Sequence, residues 1–305
     1  MWPLPPDEPR VAFEQLITQP GDVGIQPSAI RRFSNWVTGE RTGRESLSKP
    51  FGIALDERGN LCFTDTGVNA VGYLDFANKK WTYWTAIGRA RFVSPVAIAK
   101  RDGTIFVADS GQGAVIAFDE RGKLKFRIVE DLKRPSGLAI GADRLFVADP
   151  QEHCVQVFDL KGQPLFRFGR RGSGPGEFDF PTHLAADNSG HLFVTDSLNS
   201  RVEVFDWEGH FQSEIGSAGD ASGHFSRPKG VAADSFGHVY VLDANFDNLQ
   251  IFDLSGRLLL TLGEAGADKG QFWLPNGIAI SADNRIFITD CYNQRVQVLK
   301  YIGQQ

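Results

Sequence analysis

Apolar and polar residues alternate with a period of two along most of the chain, in short runs separated by turns. Residues 228–262 show the arrangement, because the runs GVAAD, HVYVLD, LQIFD and RLLLTLG are separated by SFG, ANFDN and LSG. Period-two alternation with many Val, Ile, Phe and Tyr residues indicates β-strands and not helices. The sequence therefore predicts four strands within this stretch.

The same arrangement occurs six times, and the copies align on a proline followed by any residue, a small residue, an aliphatic residue and alanine. The spacings between successive prolines are 45, 40, 46, 47 and 47 residues. An aspartate closes the second run of each copy. The prolines are Pro50, Pro95, Pro135, Pro181, Pro228 and Pro275, and the aspartates are Asp65, Asp109, Asp149, Asp196, Asp243 and Asp290. Repeats of this length with four antiparallel strands are typical of β-propeller blades.

The predicted fold is all-β, a six-bladed β-propeller of four-stranded antiparallel blades over residues 49–301. The last unit ends on its third strand, RVQVLKY, and a lone alternating stretch at about residues 10–18 precedes the first unit. Since an unpaired edge is costly, we expect this N-terminal strand to complete the last blade and close the ring. Residues 1–48 belong to the same domain and include a predicted short helix at about 28–38, with Ser28 as its N-cap and Gly39 as its stop.

Composition and cysteine spacing narrow the class of protein. The net charge of −5 and the pI near 5.7 argue against a protein built mainly to coat nucleic acid or an anionic membrane. No apolar run approaches the roughly 18 residues of a membrane span. Cys62, Cys154 and Cys291 form no CxxC pair and lie at different points of the repeat. We therefore predict free thiols and neither a disulfide framework nor a zinc site.

The units resemble NHL repeats. The resemblance rests on the PxGIA opening, on the segments FVTDSLNSRVEVFD and FITDCYNQRVQVL, and on the glycine-rich connectors GRRGSGPGEFDFP, GSAGDASGHFSRP and GEAGADKGQFWLP. It covers residues 49–300 and is strongest in the last three units. NHL propellers include protein-binding and RNA-binding modules, sensor domains of receptor kinases and a peptide-amidating lyase. The resemblance thus implies the fold and leaves the function to the site residues.

The N-terminal residues bear on location. MWPLPPDEPRVAF lacks the apolar core of a signal peptide. The stretch WPLPPDEPRVAF nevertheless resembles the start of bacterial periplasmic or surface six-bladed propellers, whose mature chain follows a lipidated leader. This resemblance implies a periplasmic or cell-surface protein, with a lipid anchor on a removed leader as one means of attachment.

One face of the predicted ring, here called the top face, carries the connectors before the six prolines and the loops after the six aspartates. These loops differ between units, whereas the turns on the opposite, bottom face are fixed by turn chemistry. Recognition usually resides in variable loops on a rigid scaffold, so we predict any site on the top face. We interpret the repeated aspartates as scaffold that accepts backbone N–H groups, and Arg201 and Arg295 as scaffold that binds carbonyl or carboxylate oxygens.

The third position of the PxGIA motif departs from its pattern in one unit. Five units have glycine or alanine there, and the fourth has His183. Ala97 at this position indicates that a small side chain is needed for lack of space near the axis, and not for a positive φ. The imidazole of His183 is predicted to point into the channel mouth, where it either contacts a ligand or fills space.

This chain has few of the residues that form the catalytic sites of related propellers. The peptide-amidating lyase places several histidines at these central positions around zinc, and gluconolactonase-like propellers hold a divalent cation with Glu, Asn and Asp. A catalytic zinc needs about three protein ligands, and His183 supplies one. Asn276 is the only amide beside the six small positions. The sequence therefore assigns no catalytic residue, no metal ligand and no cofactor.

The residues that follow the prolines are predicted to ring the channel mouth, with aromatic residues in neighbouring loops. The ring consists of Phe51, Val96, Ser136, Thr182, Lys229 and Asn276, and the loop aromatics are Phe246, Tyr292 and Trp273. Exposed aromatics with few charges suit a protein or peptide interface, although the rings could instead pack against adjacent loops. The predicted function is a non-catalytic NHL-repeat scaffold that binds a protein or peptide through the top face. The alternative is a lactonase-like or peptide-amidating-lyase-like hydrolase or lyase with a divalent cation near the central channel.

The most basic stretch of the chain, RGKLKFRIVEDLKRP, bears on nucleic-acid binding. Its alternation puts Lys123, Lys125 and Arg127 on one face and apolar residues on the other. This is the pattern of an outer edge strand protected by positive charge. The sequence therefore argues against a nucleic-acid partner.

Overall fold

The computed structural model describes residues 1–3, 8, 10–25 and 46–303. These residues form six four-stranded antiparallel sheets, the blades of a propeller, which confirms the predicted all-β architecture. Strand β1 (Val11–Ile17) and a short 3-10 helix (Pro20–Val23) come first. The helix predicted at about residues 28–38 lies outside the described residues.

The six blades follow one another along the chain. Blade 1 contains β2 (Pro50–Leu55), β3 (Leu61–Asp65), β4 (Ala70–Asp75) and β5 (Lys80–Trp84), and a small hairpin of β6 (Ala86–Ile87) and β7 (Ala90–Arg91) follows it. Blade 2 contains β8 (Pro95–Arg101), β9 (Thr104–Asp109), β10 (Ala114–Asp119) and β11 (Leu124–Ile128). Blade 3 contains β12 (Gly137–Gly141), β13 (Arg144–Asp149), β14 (Cys154–Asp159) and β15 (Pro164–Phe168).

The second half of the chain repeats this order with longer connectors. Blade 4 contains β16 (Pro181–Ala186), β17 (His191–Asp196), β18 (Arg201–Asp206) and β19 (Phe211–Ile215). Blade 5 contains β20 (Pro228–Ala233), β21 (His238–Asp243), β22 (Asn248–Asp253) and β23 (Leu258–Leu262). Blade 6 contains β24 (Pro275–Ile280), β25 (Arg285–Asp290) and β26 (Arg295–Tyr301), and its outer strand is β1.

The first strands of the blades surround a central channel. Each contacts the first strand of the next blade, and β24 contacts β2, so these contacts form a closed ring. Each motif proline lies opposite or next to the end of the second strand of its blade, as Pro228 lies opposite Asp243. The prolines and the aspartates therefore share the top face, as the sequence predicts.

The hydrophobic core is divided among the seams between adjacent blades, with one cluster of buried residues in each of the six seams. A second or third strand has a neighbouring blade on both sides, so all five residues of β3 are buried. An outer strand has solvent beside it, and β11 accordingly has three exposed residues and only one buried residue among its five. The burial of a strand therefore depends on its position in the blade, which decides whether neighbouring blades or solvent lie beside it.

Strand β1 closes the ring, as predicted. It pairs antiparallel with β26, from Val11 opposite Tyr301 to Ile17 opposite Val296. Val11 and Ile17 are almost completely buried, and they belong to the clusters on the two sides of blade 6. The two ends of the described chain are thus joined in one sheet.

Candidate functional site

The six aspartates that close the second strands are fully buried and belong to the scaffold, as predicted. The carboxylate of Asp243 accepts hydrogen bonds from the backbone N–H groups of Ser226 (2.7 Å) and Arg227 (3.0 Å) in the connector. It also accepts one from Asn245 (2.9 Å) in the following loop. Asp65 makes equivalent contacts in blade 1. These carboxylates therefore fix connector and loop to each other on the top face.

Arg201 and Arg295 hold the glycine-rich connectors, which confirms their interpretation as scaffold. Arg201 Nη2 donates to the carbonyl oxygens of Gly174 and Glu177, both at 2.9 Å. Arg295 donates to three carbonyl oxygens of the connector before blade 6, and its Nε lies 2.7 Å from a carboxylate oxygen of Asp290. The repeated segment is therefore mainly structural.

The small residues at the third motif position allow the first strands to approach one another closely. A Cβ atom on Gly230 would lie 2.5 Å from the carbonyl oxygen of Asn276, and one on Gly277 would lie 2.5 Å from that of Phe51. Neither glycine has a positive φ. Space, and not backbone conformation, selects a small residue here, as Ala97 indicated in the sequence.

His183 forms a bridge across the top end of the channel. Its Nε2 lies 3.1 Å from Nδ2 of Asn276 in blade 6, and its Nδ1 lies 3.0 Å from Oγ1 of Thr182. Because an amide nitrogen donates, Nε2 accepts and Nδ1 carries the proton. Burial lowers the pKa of His183 to about 3, with a further lowering by the charge of Lys229. The bridging imidazole is therefore neutral.

Hydroxyl groups extend this bridge to blade 5. Oγ1 of Thr182 lies 2.6 Å from Oγ of Ser197, which donates to the carbonyl oxygen of Pro228 at 3.0 Å. Asn276 also donates to the carbonyl oxygen of Phe51 at 3.3 Å. Thr182 and Asn276 are buried, so they hold His183 in place below the surface of the mouth. Ser197 was not among the residues predicted from the sequence.

The bridge leaves little space at the top end of the channel, whereas the bottom end is open. The cavity beside His183 has a volume of 40 Å³. A cavity of 710 Å³ lies at the bottom end, and its wall includes Ala54, Ala99, Ala139, Ala185, Ala232 and Ala279. The sequence reasoning did not predict this larger cavity. It arises because small alanine side chains line the first strands where they run toward the bottom face.

Several charged side chains on the wall of the bottom cavity are paired with one another. Lys100 Nζ lies 2.8 Å from Asp56 Oδ2 and 2.9 Å from Glu120 Oε1, and it is almost completely buried. Arg285 Nε lies 2.9 Å from Asp283 Oδ2. These charges neutralise one another, so the ion pairs offer a molecule in this cavity little specific recognition.

Lys229 is the only charged residue among the six that follow the motif prolines. Its carbonyl oxygen accepts a hydrogen bond from Thr195 Oγ1 at 2.8 Å, which fixes the backbone at this point. Burial and, to a smaller extent, the charge of Arg227 lower the pKa of its ammonium group to about 8, against the opposing charge of Asp243. The mouth of the channel thus holds one partly desolvated cation.

Trp273 and Tyr292 form an exposed aromatic pair on the top face. Their ring centroids lie 5.5 Å apart at an interplanar angle of 36°, and the residues are 54% and 47% exposed. Nζ of Lys49 lies 4.5 Å from the centroid of the Tyr292 ring. The rings therefore pack against each other and still present about half of their surface to solvent. Lys49 was not predicted, because no pattern in the sequence places it over an aromatic ring.

The remaining predicted site residues are less accessible. Phe51, Val96 and Phe246 are partly buried, and Val96 lines the small cavity beside His183. Ser136 is also partly buried, and its Oγ donates to the carbonyl oxygen of Thr182 at 3.0 Å. The structure thus gathers part of the predicted set around His183 and places the exposed aromatic pair in the loops of blade 6.

Two family models match parts of the chain. The NHL repeat model matches residues 272–299, most of blade 6. A model described as a 6-bladed beta-propeller matches residues 129–192, which include blade 3. The described residues form six four-stranded blades. The chain is an NHL-repeat six-bladed β-propeller. A search of curated protein sequences finds no match to it.

Solved structures share the fold of this NHL-repeat propeller at low sequence identity. A streptogramin B lyase aligns with a TM-score of 0.63 and 12% identity, over 84% of this chain and 94% of its own. A protein of unknown function from Bacteroides thetaiotaomicron aligns with a TM-score of 0.68 and 13% identity, over 95% and 76%. Hydrazine synthase from Kuenenia stuttgartiensis aligns with a TM-score of 0.61 and 14% identity, over 85% and 97%. At these identities the similarity shows the fold alone.

The described residues of the NHL-repeat propeller contain no cluster of three or more His, Cys, Asp or Glu side chains that could hold a metal ion. His183 has both ring nitrogens in contact with Thr182 and Asn276. The three cysteines are free and buried, as predicted. Burial raises the pKa of Cys154 and of Cys291 to about 12, so these thiols are protonated and unreactive at neutral pH.

The basic stretch lies on the outside of the propeller, as predicted. Strand β11 is the outer strand of blade 2, and Lys125 and Arg127 are exposed on it. Arg127 donates to Gln112 Oε1 at 2.8 Å. This strand edge therefore carries its charges apart from the channel mouth. In the part of the chain that the structure describes, we find no helix with the length and hydropathy of a membrane span.

Proposed function

We propose that this NHL-repeat propeller is a non-catalytic scaffold that binds a protein or peptide through its top face. The observation that carries the proposal is the half-exposed pair of Trp273 and Tyr292, since buried aromatic anchors supply much of the binding energy at protein interfaces. The backbone N–H of Trp273 donates to Asp290 at 2.8 Å. The anchors are therefore presented from a fixed loop, which reduces the entropy lost on binding.

The central residues favour a structural role over catalysis. His183 could act as a general base or metal ligand only through a free lone pair on one of its ring nitrogens. In His183 the Nε2 lone pair accepts from Asn276, and Nδ1 carries the proton. The streptogramin B lyase shares the fold of this chain, but its activity is a property of that protein. Binding is therefore the function that the arrangement of residues supports better.

Selection of displayed random peptides on the purified protein tests the proposal. We expect peptides that bind the wild-type chain and lose at least about tenfold in affinity for the double variant Trp273→Ala, Tyr292→Ala, because the variant removes both anchors. The matched control is Phe236→Ala, which removes a 41% exposed aromatic ring from the bottom face. Peptides that bind the double variant as well as the wild type would contradict the proposal.

We also propose a periplasmic or cell-surface location. The support is the likeness of WPLPPDEPRVAF to the start of exported propellers. Fractionation of host cells, followed by detection of the protein with an antibody, tests this, and recovery in the cytoplasmic fraction alone would contradict it.

A further inference from the structure

The ammonium group of Lys229 has no charged partner among the described residues of the channel mouth. It forms no ion pair or hydrogen bond with any residue that the structure describes, and burial and Arg227 both lower its pKa. The carboxylate that opposes this lowering, Asp243, already accepts hydrogen bonds from Ser226, Arg227 and Asn245. The three donor hydrogens of Lys229 thus have no acceptor in the described part of the chain, and they lie in a partly desolvated position, where an ion pair is stronger than at an open surface.

The backbone around Lys229 is held rigidly by blade 4. Thr195 Oγ1 donates to the carbonyl oxygen of Lys229 at 2.8 Å, and Ser197 Oγ donates to that of Pro228 at 3.0 Å. A Cβ atom on the next residue, Gly230, would meet the backbone of blade 6. The lysine therefore has a fixed base, and only its side chain needs to be ordered when a ligand binds.

Further basic residues surround the mouth. Lys49, Arg134 and Arg227 each precede a motif proline on the top face. Lys49 lies over the Tyr292 ring, and the Arg134 guanidinium lies 5.9 Å from the centroid of Phe180. The six aspartates of the same face are fully buried, and every charged residue immediately before a motif proline is basic.

We propose that the channel mouth binds a carboxylate group of a peptide, with Lys229 donating directly to it and apolar residues of the same peptide contacting Trp273 and Tyr292. This inference rests on the proposed function and deepens it by naming the chemistry that the partner must carry. The carboxylate belongs to an acidic side chain or to the carboxyl end of the peptide. Either would replace the water that burial has removed from the ammonium group.

A single carboxylate fits the mouth better than a nucleic acid does. The ring around Lys229 is otherwise uncharged, and the floor below it is the neutral bridge of His183 and Asn276. The chain has a net charge of −5, which repels a polyanion at a distance. Nucleic-acid surfaces instead carry several cations spaced to follow a phosphate backbone. One partly buried lysine beside exposed aromatic rings matches one negative charge on an apolar segment.

The test uses fluorescence anisotropy with the full chain. The probes are a fluorescein-labelled peptide obtained by the selection described above, its twin with each acidic side chain changed to the amide and its carboxyl end amidated, and a single-stranded RNA 12-mer. The protein variants are Lys229→Gln, Lys229→Arg and, as a matched control, Lys300→Gln. Lys300 lies near the bottom face, opposite Arg285, so its removal subtracts the same charge from a distant place.

We expect the amidated twin, and Lys229→Gln with the original peptide, each to weaken binding by at least about tenfold. Lys229→Arg should retain most of the affinity, and Lys300→Gln should leave it unchanged. Two results would overturn the carboxylate site while leaving the top face as an interface. In the first, the twin and Lys229→Gln bind as the originals do, although the Trp273 and Tyr292 variant does not. In the second, the RNA binds more tightly than the peptide and depends on Lys229. Failure to select any peptide at the top face would overturn both proposals.

Discussion

Glu203 occupies a position in the third strand that three other blades fill with glutamine. Gln250 and Gln297 each accept a backbone N–H from a residue 27 positions earlier and donate to a carbonyl oxygen 26 positions earlier. Glu203 accepts the corresponding N–H from Gly176 at 3.3 Å. Its other oxygen, Oε2, is buried without a partner. An ionised carboxylate cannot donate to the corresponding carbonyl, that of Glu177, but a protonated one can.

Protonation of Glu203 links the stability of the protein to pH. Burial raises the pKa of Glu203 from 4.5 to about 7, against the opposing charge of Arg201. Between these values the folded chain keeps a proton that the unfolded chain has lost. The free energy of unfolding therefore falls as pH rises from about 4.5 to about 7, and it does not fall further above that range on account of this group. At about 1.4 kcal/mol per pKa unit, the loss is about 3 kcal/mol.

The variant Glu203→Gln should remove this loss. Its amide can accept from Gly176 and donate to the Glu177 carbonyl at every pH, as Gln250 and Gln297 do in their blades. Thermal unfolding followed by circular dichroism should show similar melting temperatures for wild type and variant at pH 4.5. At pH 8 the variant should melt higher by about 6 °C, given roughly 2 °C per kcal/mol for a chain of this size.

The matched control is Glu214→Gln. Glu214 contacts the same guanidinium, since Arg201 Nη1 lies 2.9 Å from its Oε2, but its side chain is 50% exposed. The control removes one carboxylate from Arg201 without touching the buried position, so its melting temperature should follow the wild-type dependence on pH. If Glu203→Gln melts lower than the wild type at pH 8, or if the two curves run parallel from pH 4.5 to 8, Glu203 is ionised in the fold and the reasoning is wrong.

Three further predictions concern the scaffold and the bridge. Deletion of residues 1–18 removes β1 and exposes β26, so we expect aggregation on size-exclusion chromatography, and a monodisperse folded product would refute the closure. Gly230→Val places a side chain against the carbonyl oxygen of Asn276, which lies 2.5 Å from the Cβ position, and should lower the free energy of unfolding in urea by at least about 3 kcal/mol. Gly21→Ala, which meets nothing within 4 Å, should leave the free energy of unfolding unchanged. The NMR signals of the His183 imidazole should stay constant between about pH 5 and pH 7, because its pKa of about 3 keeps the ring neutral, and a titration step in that range would contradict the bridge.

The fold could be predicted from the sequence because the information is repeated. Each blade restates the same alternation, and the missing fourth strand after RVQVLKY is supplied by β1 at the register where Val11 meets Tyr301. The lack of space at the axis could also be inferred from the sequence, since Ala97 stands where four other units have glycine, and the 2.5 Å approach at Gly230 explains it. Ring closure and crowding at the axis depend on the spacing of residues along the chain and on side-chain volumes, both of which are read directly from the sequence.

The candidate site was predictable only in part, because its contacts join blades that are far apart in the sequence. The contact between His183 and Asn276 spans 93 positions, and no local sequence pattern indicates it. Ser197 was missed although Ser110 follows the aspartate of blade 2 and donates to Pro135 in the next blade. That parallel was a usable signal. The bottom cavity was missed because its volume depends on how the first strands converge, which the order of residues does not specify.

The consequence of a residue that departs from the repeat depends on the residues and solvent around it. The other blades show what the scaffold needs at each position, so a departing residue must find its partners elsewhere. His183 finds them in Thr182 and Asn276 and closes the channel. Glu203 Oε2 has no hydrogen-bond partner in the seam between blades, where its side chain is fully buried. Only a proton can reach this oxygen and let it form a hydrogen bond. Among the residues that the structure describes, Lys229 has no partner for its ammonium group on the top face, where a ligand can approach from solvent. A missing partner for a charged side chain therefore predicts pH-dependent stability when it lies in the seam between blades. It predicts a binding site when it lies at the channel mouth.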